Sequence, residues 1–172
     1  MKALTIWQPW ASLIIAGAKP YEFRGWRAPR SLIGQRIVIH AAAKKIDREE
    51  VCDLWHILMN RNACDEIKLA AAETCLHPEP ALPILGRAWM PYREPLPMSA
   101  GIGTAIIGEP RLGTEIAEEF GVPRANDSDR DQHANWGWPM LEIEAWEAPI
   151  PMRGAQGFWN WPTPDQIMGG TT

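Results

Sequence analysis

Gly17-Ala18-Lys19-Pro20-Tyr21-Glu22-Phe23-Arg24 is the stretch on which the reading of the chain turns. Gly17 sits where a glycine ends a helix, because it enters the left-handed region at no steric cost. Residues 21–26, YEFRGW, alternate aromatic and charged side chains, as a half-buried strand does. On that strand Glu22 and Arg24 are two apart and share a face. Lys19, three before Glu22, stands at the loop–strand junction and reaches the same mouth. Two cations and one carboxylate then meet at one place. The cations suit phosphate oxygens, and Arg24 also forks onto a carboxylate or a base edge. Glu22 can accept from an exocyclic amino group or orient Lys19. The same three residues also make an ordinary structural ion pair in many chains.

Upstream, residues 3–7 (ALTIW) read as a short strand, and Pro9 suits the first turn of a helix with Trp10, Leu13 and Ile14 on one face. Downstream, residues 35–41 (QRIVIHA) form a strand with a β-branched centre. Asp47 with Glu50 spells a capping box, and the helix behind it aligns Val51, Leu54, Trp55, Leu58 and Met59. A second helix is expected over residues 64–74. His77 to Pro97 carries six prolines, so an irregular segment wrapping the surface is expected there, anchored by Trp89 and Tyr92. Residues 103–108 read as a buried strand and residues 114–120 as a short helix stopped by Gly121 and Pro123. Residues 124–135 read as a polar loop, 139–146 as a strand with one wet face, and 154–161 as a closing strand or turn. Short strands with helices between them, in no regular alternation, fit an α+β fold around a small barrel.

The 172 residues fit one domain, 1–172, and nearly half are apolar, enough for a core without staples. Three cysteines (Cys52, Cys64, Cys75) make an odd count, against a disulfide framework and for a reducing compartment. The N-terminal apolar stretch ends in Ala16-Gly17-Ala18, superficially like a signal-peptide cleavage site. Gln8-Pro9 interrupts it, and the cut would fall inside the motif, so a cytoplasmic protein is expected. No apolar run is long enough for a membrane span.

Net charge is -4, but residues 1–48 carry +7 and the remainder -11. The basic segment also holds Trp7, Trp10 and Trp26. Cations interleaved with indoles are what a stacking, phosphate-neutralising surface requires. Ten tryptophans is heavy usage. Trp55, Trp146 and Trp161 are assigned to packing; Trp7, Trp10, Trp26 and Trp138 are expected near the cleft, with Gln8 beside them. His40, inside a strand, reads first as a packed residue and second as a site candidate.

Two metal readings fail. Cys52 and His56 share a helix face, but Cys75 and His77 do not complete a zinc spacing. Residues 127–138 begin like a calcium loop but place Gln132 and Trp138 at its glycine and glutamate positions. No metal and no cofactor is implied. No phosphate-cradling glycine loop or serine nucleophile elbow occurs.

The pattern G-x-K-x-x-E-x-R resembles the signature of the ASCH family, relatives of the PUA-type RNA-binding barrels. Residues 5–15 (TIWQPWASLII) look like that family's opening strand and helix, Arg24-Gly25-Trp26 like the residues after its motif, and residues 39–44 (IHAAAK) like its second strand. Trp138 to Trp159 is similar to the closing segment of bacterial and phage members. Residues 48–100 match least and read as a helical, proline-rich insert. The resemblance implies a small PUA-like barrel with flanking helices, and a cleft of Trp7, Gln8, Trp10, Lys19, Glu22, Arg24, Trp26, His40 and Trp138. Its expected partner is RNA, another single-stranded nucleic acid, or a nucleotide-like small molecule. The alternative is an enzyme acting on a modified nucleoside or RNA, with Lys19 as base or nucleophile and Glu22 beside it. Small relatives resemble amidohydrolases that use a lysine, a threonine and a glutamate. Lys19 falls on that lysine, but Glu22 stands at the threonine position and removes its hydroxyl. A protein-interaction domain using residues 77–97 is the third reading.

Overall fold

Leu4 and Ile6 alternate with Ala3 along the first strand, and Ile37, Ile39 and Ala41 alternate with Val38 and His40 along the next but one. Both sets are buried because both sheet faces are covered. This is a computed structural model, which describes residues 1–59, 75–90, 92, 94–120 and 136–163. The expected helix over 64–74, the loop over 124–135, Cys64 and most of the calcium-like stretch lie outside them.

The elements are β1 (Lys2–Ile6), α1 (Trp10–Ile15), β2 (Tyr21–Arg24), a 3-10 turn (Arg30–Leu32), β3 (Arg36–Ala41), α2 (Arg48–Met59), α3 (Pro78–Trp89), β4 (Ala100–Ile107), β5 (Arg111–Leu112), α4 (Gly113–Glu119), β6 (Trp136–Pro151) and β7 (Phe158–Asn160). The described strands join into one mixed sheet in the order β2-β6-β4-β3-β1-β7, with β5 also on β6. Only β1 and β3 pair in parallel, Ile6 against Ala41 at their ends. Extra residues interrupt the β3–β4 and β4–β6 ladders; one bulge sets Glu142 and Ile143 against Ala105 and holds Glu142 at φ 44°. Bulges bend a sheet and sharpen its twist. The result is a half-barrel with four helices among the described residues, an α+β fold as the sequence implies. β6, at 16 residues, is twice the length read from its alternation, because the bulges let one strand serve both β2 and β4.

Inside the curl lies a core of Leu4, Ile6, Ile14, Ile37, Ile39, Ile107 and Trp138, among others. The opposite face of β1 and β3 is roofed by Trp146, Trp159 and Trp161 against Ala3 and Val38. α1 is a wedge: Ala11 and Ile14 face the barrel, and Leu13 faces α2 and α3. Its first turn is held by Gln8, whose Oε1 accepts from the Ser12 N–H (3.1 Å). Its end follows the sequence signal: Gly17 has φ 71°, and the Ala18 and Lys19 N–H groups both donate to the Leu13 carbonyl.

Asp47 caps α2 as expected, its Oδ1 accepting from the Glu49 and Glu50 N–H groups at 3.0 and 3.3 Å. Val51, Leu54 and Leu58 are buried, while Met59 of the expected stripe is exposed.

The expectation of an irregular 77–97 segment is corrected: residues 78–89 are a helix. Pro78 and Pro80 stand in its first turn, where an N–H has no helical partner to lose. Only Pro83 removes an interior bond, at a cost near 3 kcal/mol. Ala81, Leu85 and Ala88, one face of the helix, bury against α2, and burying a leucine alone contributes about 1.5–3 kcal/mol. Trp89 does anchor, its ring 5.6 Å from that of Trp55, but Tyr92 is exposed.

Candidate functional site

The turn at Gly17 ends α1 and delivers Lys19 to the start of β2. β2 pairs antiparallel with the first residues of β6, placing Glu22 opposite Trp138 and Arg24 opposite Trp136. Glu22 and Arg24 therefore share the face on which Trp138 enters the core. Tyr21 and Phe23 point the other way, against Cys75, Ile116 and Ala117. Gly137 sits between the two tryptophans in a tight spot: a Cβ there would lie 2.1 Å from Ile116 Cδ1, so that buried side chain would have to shift.

Lys19, Glu22 and Arg24 do come together, as the spacing implies. Glu22 is the hub. Its Oε2 accepts from Lys19 Nζ at 2.7 Å, and its Oε1 lies 2.8 Å from Arg24 Nη2. Lys19 Nζ also donates to the Tyr21 carbonyl at 2.8 Å, and it lies 5.6 Å from the Phe23 ring centre. Both Lys19 and Glu22 are buried, their side chains 8 % exposed, whereas Arg24 is 33 % exposed. Arg24 is also the under-satisfied member: its Nε is buried without a hydrogen-bond partner. A buried orphan donor costs about 1–3 kcal/mol until an acceptor reaches it.

The predicted tryptophans divide. Trp26, two residues past Arg24, is exposed, and its ring meets that of Trp138 edge-on at 4.7 Å. Trp138 is fully buried, stacks on Phe158 at 5.7 Å and donates its indole N–H to the Trp26 carbonyl at 3.1 Å. Trp138 thus lies in the core beneath Trp26 and presents no face to solvent. Trp10 is half-buried between the barrel core and the helical pair. Gln8 is buried, its Nε2 donating to Ser12 Oγ and to the Pro97 carbonyl, both at 2.8 Å. Trp7 lies at the far end of α1 from Lys19, under the Lys44 ammonium.

His40 is not brought to this group. It lies on the outer face of β3, beside Trp159 and Trp161. The Met152 carbonyl 2.9 Å from Nε2 can only accept, so Nε2 carries the proton. Nδ1 then accepts from the Thr5 hydroxyl (3.3 Å), whose oxygen accepts from the Trp159 indole N–H (3.0 Å).

Folding neutralises only part of the basic N-terminal segment with acids from the rest of the chain. Arg27 pairs with Glu109, and Arg36 with Glu142 and Glu144 at 3.1 and 3.3 Å. Among the described residues, Lys2, Arg30, Lys44, Lys45 and Arg48 make no ion pair.

Cys75 packs below the motif without any local sequence signal for it. Burial pushes its thiol up to about 11, against the opposing influence of Lys19. Among the described residues no group of three or more histidine, cysteine or acidic side chains is arranged to hold a metal. Nor is any described helix long and apolar enough to cross a membrane.

A mixed sheet curled into a half-barrel with helices packed on it is consistent with the α+β fold of the PUA-like superfamily. Within it the chain belongs to the ASCH domain family, whose model matches residues 4–93, more than half of the chain. That family is associated with RNA binding. No curated protein matches the chain.

Proposed function

We propose that the chain binds single-stranded RNA, or a nucleotide-like group of the same chemistry, in the cleft bordered by Arg24 and Trp26. One observation carries this reading. A partly exposed guanidinium with an orphaned Nε stands two residues from an exposed indole that is fixed from behind by Trp138. The guanidinium supplies donors for a phosphate or a base edge, and the indole supplies a stacking face. Lys19 and Glu22 form the buried base of the cleft. With Lys19 and Arg24 both on one carboxylate, the cluster keeps one net positive charge, which favours an anionic ligand.

The enzyme reading draws less from the geometry. Lys19 Nζ is buried and turned onto the Glu22 carboxylate and the Tyr21 carbonyl, away from solvent where a substrate would meet it.

The test is fluorescence anisotropy of a short labelled single-stranded RNA, titrated with wild type and Arg24→Ala at two salt concentrations. Binding that weakens with salt, with a log–log slope smaller by about 0.7 in the variant, is expected for one lost phosphate contact. Equal affinity and equal slope for both proteins would remove Arg24 from the binding surface and the proposal with it.

A further inference from the structure

Trp7 is the most exposed tryptophan of the described chain, at 56 %, yet it is firmly held. It follows the last residue of β1, its carbonyl accepts from the Ala11 N–H at 3.1 Å, and its neighbour Gln8 is anchored to Ser12 and Pro97. The parallel pairing of Ile6 with Ala41 lets the chain leave β1 and β3 side by side. That brings Lys44 over the indole, Nζ 3.3 Å from the ring centre. The ammonium lies over the ring, and more than half of the residue's surface stays open to solvent. Lys45 and Arg48 are exposed nearby. Asp47 turns its carboxylate to the N-terminus of α2. Glu49 and Glu50 follow, so the patch is of mixed sign, and the stacking face rather than net charge sets it apart.

This ledge is separate from the cleft. α1, six residues from Trp10 to Ile15, carries the chain about 9 Å at ~1.5 Å per residue, and Lys19 lies beyond it. We infer that Trp7 and Lys44 form a second stacking point for a single-stranded nucleic acid whose other part occupies the Arg24–Trp26 cleft. Trp7 takes a base on its exposed surface, and Lys44 meets the adjoining phosphate. The inference rests on the cleft reading, and it makes the footprint longer than one nucleotide.

Length dependence tests it. Anisotropy would be measured with a labelled dinucleotide and with a single strand of about eight nucleotides, a usual site size for such binders. The proteins are wild type, Trp7→Ala, Trp7→Phe, Lys44→Ala and Arg24→Ala, with circular dichroism confirming the fold of each. Trp7→Ala is expected to weaken the longer strand about ten-fold, Trp7→Phe less, and neither to alter dinucleotide binding. Lys44→Ala is expected to reduce the salt slope for the longer strand only, by about 0.7. Unchanged affinity of Trp7→Ala and Lys44→Ala for the longer strand, with a loss in Arg24→Ala, would overturn the ledge and leave the cleft standing. A loss in Trp7→Ala with none in Arg24→Ala would refute the two-point arrangement and the cleft together. Failure of wild type to bind either strand would do the same.

Discussion

Trp138 lies directly opposite Glu22 across the β2–β6 ladder, and its indole N–H holds the carbonyl of Trp26. One buried ring thereby joins the Lys19–Glu22–Arg24 cluster to the exposed indole of Trp26. Trp138→Ala should destabilise the protein by about 3–5 kcal/mol, the usual cost of deleting a core aromatic. Trp26→Ala should cost about 1 kcal/mol or less, because that ring is exposed, but should weaken RNA binding by about 1–3 kcal/mol. Denaturant unfolding and anisotropy on the two variants separate support from contact. A large stability loss in Trp26→Ala would reverse the assignment.

Glu22 answers two cations from a buried position, so removing its charge strands Lys19. Glu22→Gln should cost about 3–5 kcal/mol of stability, the scale for breaking one partner of a buried pair. Arg24→Ala, at the exposed end of the cluster, should cost much less. Comparing their denaturation midpoints checks the order. Equal midpoints would mean that the cluster is open to water.

His40 should matter for the fold and not for binding. His40→Phe leaves the Met152 carbonyl and the Thr5 hydroxyl without their partner, a loss of about 1–3 kcal/mol. RNA affinity should stay at the wild-type value in anisotropy titrations. A selective loss of affinity in a well-folded His40→Phe protein would return His40 to the site.

The raised Cys75 thiol makes a pH prediction. Its folded pKa, about 11, exceeds the unfolded value of 9.0, so the neutral thiol is the form the fold favours. That contribution is complete below about pH 9 and is lost as pH rises toward 11. Stability should fall more steeply over that window in wild type than in Cys75→Ala. Denaturation midpoints of the two proteins from pH 8 to 11, run in parallel, measure the difference. Parallel curves would show that the thiol is not held neutral.

Much of this was legible because it is local. Gly17 ends α1, Asp47 starts α2, and the spacing of Lys19, Glu22 and Arg24 puts them on one mouth. What local pattern could not reveal was what tertiary packing does to those groups. Nothing in residues 17–24 announces that Glu22 is saturated from both sides, or that Lys19 is buried under it. The excess positive charge of residues 1–48 looked free. Part of it is spent on Glu109, Glu142 and Glu144, which arrive from far along the chain. The sequence places Trp138 near the motif, but only the pairing of β6 with β2 reveals it as a buried ring beneath Trp26. The proline helix did carry a signal: Ala81, Leu85 and Ala88 recur at helical spacing, but proline count outweighed it.

A titration of the ten indole N–H resonances with single-stranded RNA tests the cleft most directly. Trp26 and its support Trp138 should shift together, saturably, while Trp159 and Trp161 on the opposite sheet face stay still. Shifts confined to Trp55 and Trp89, or no shift at saturating RNA, would contradict a nucleic-acid cleft at Arg24 and Trp26.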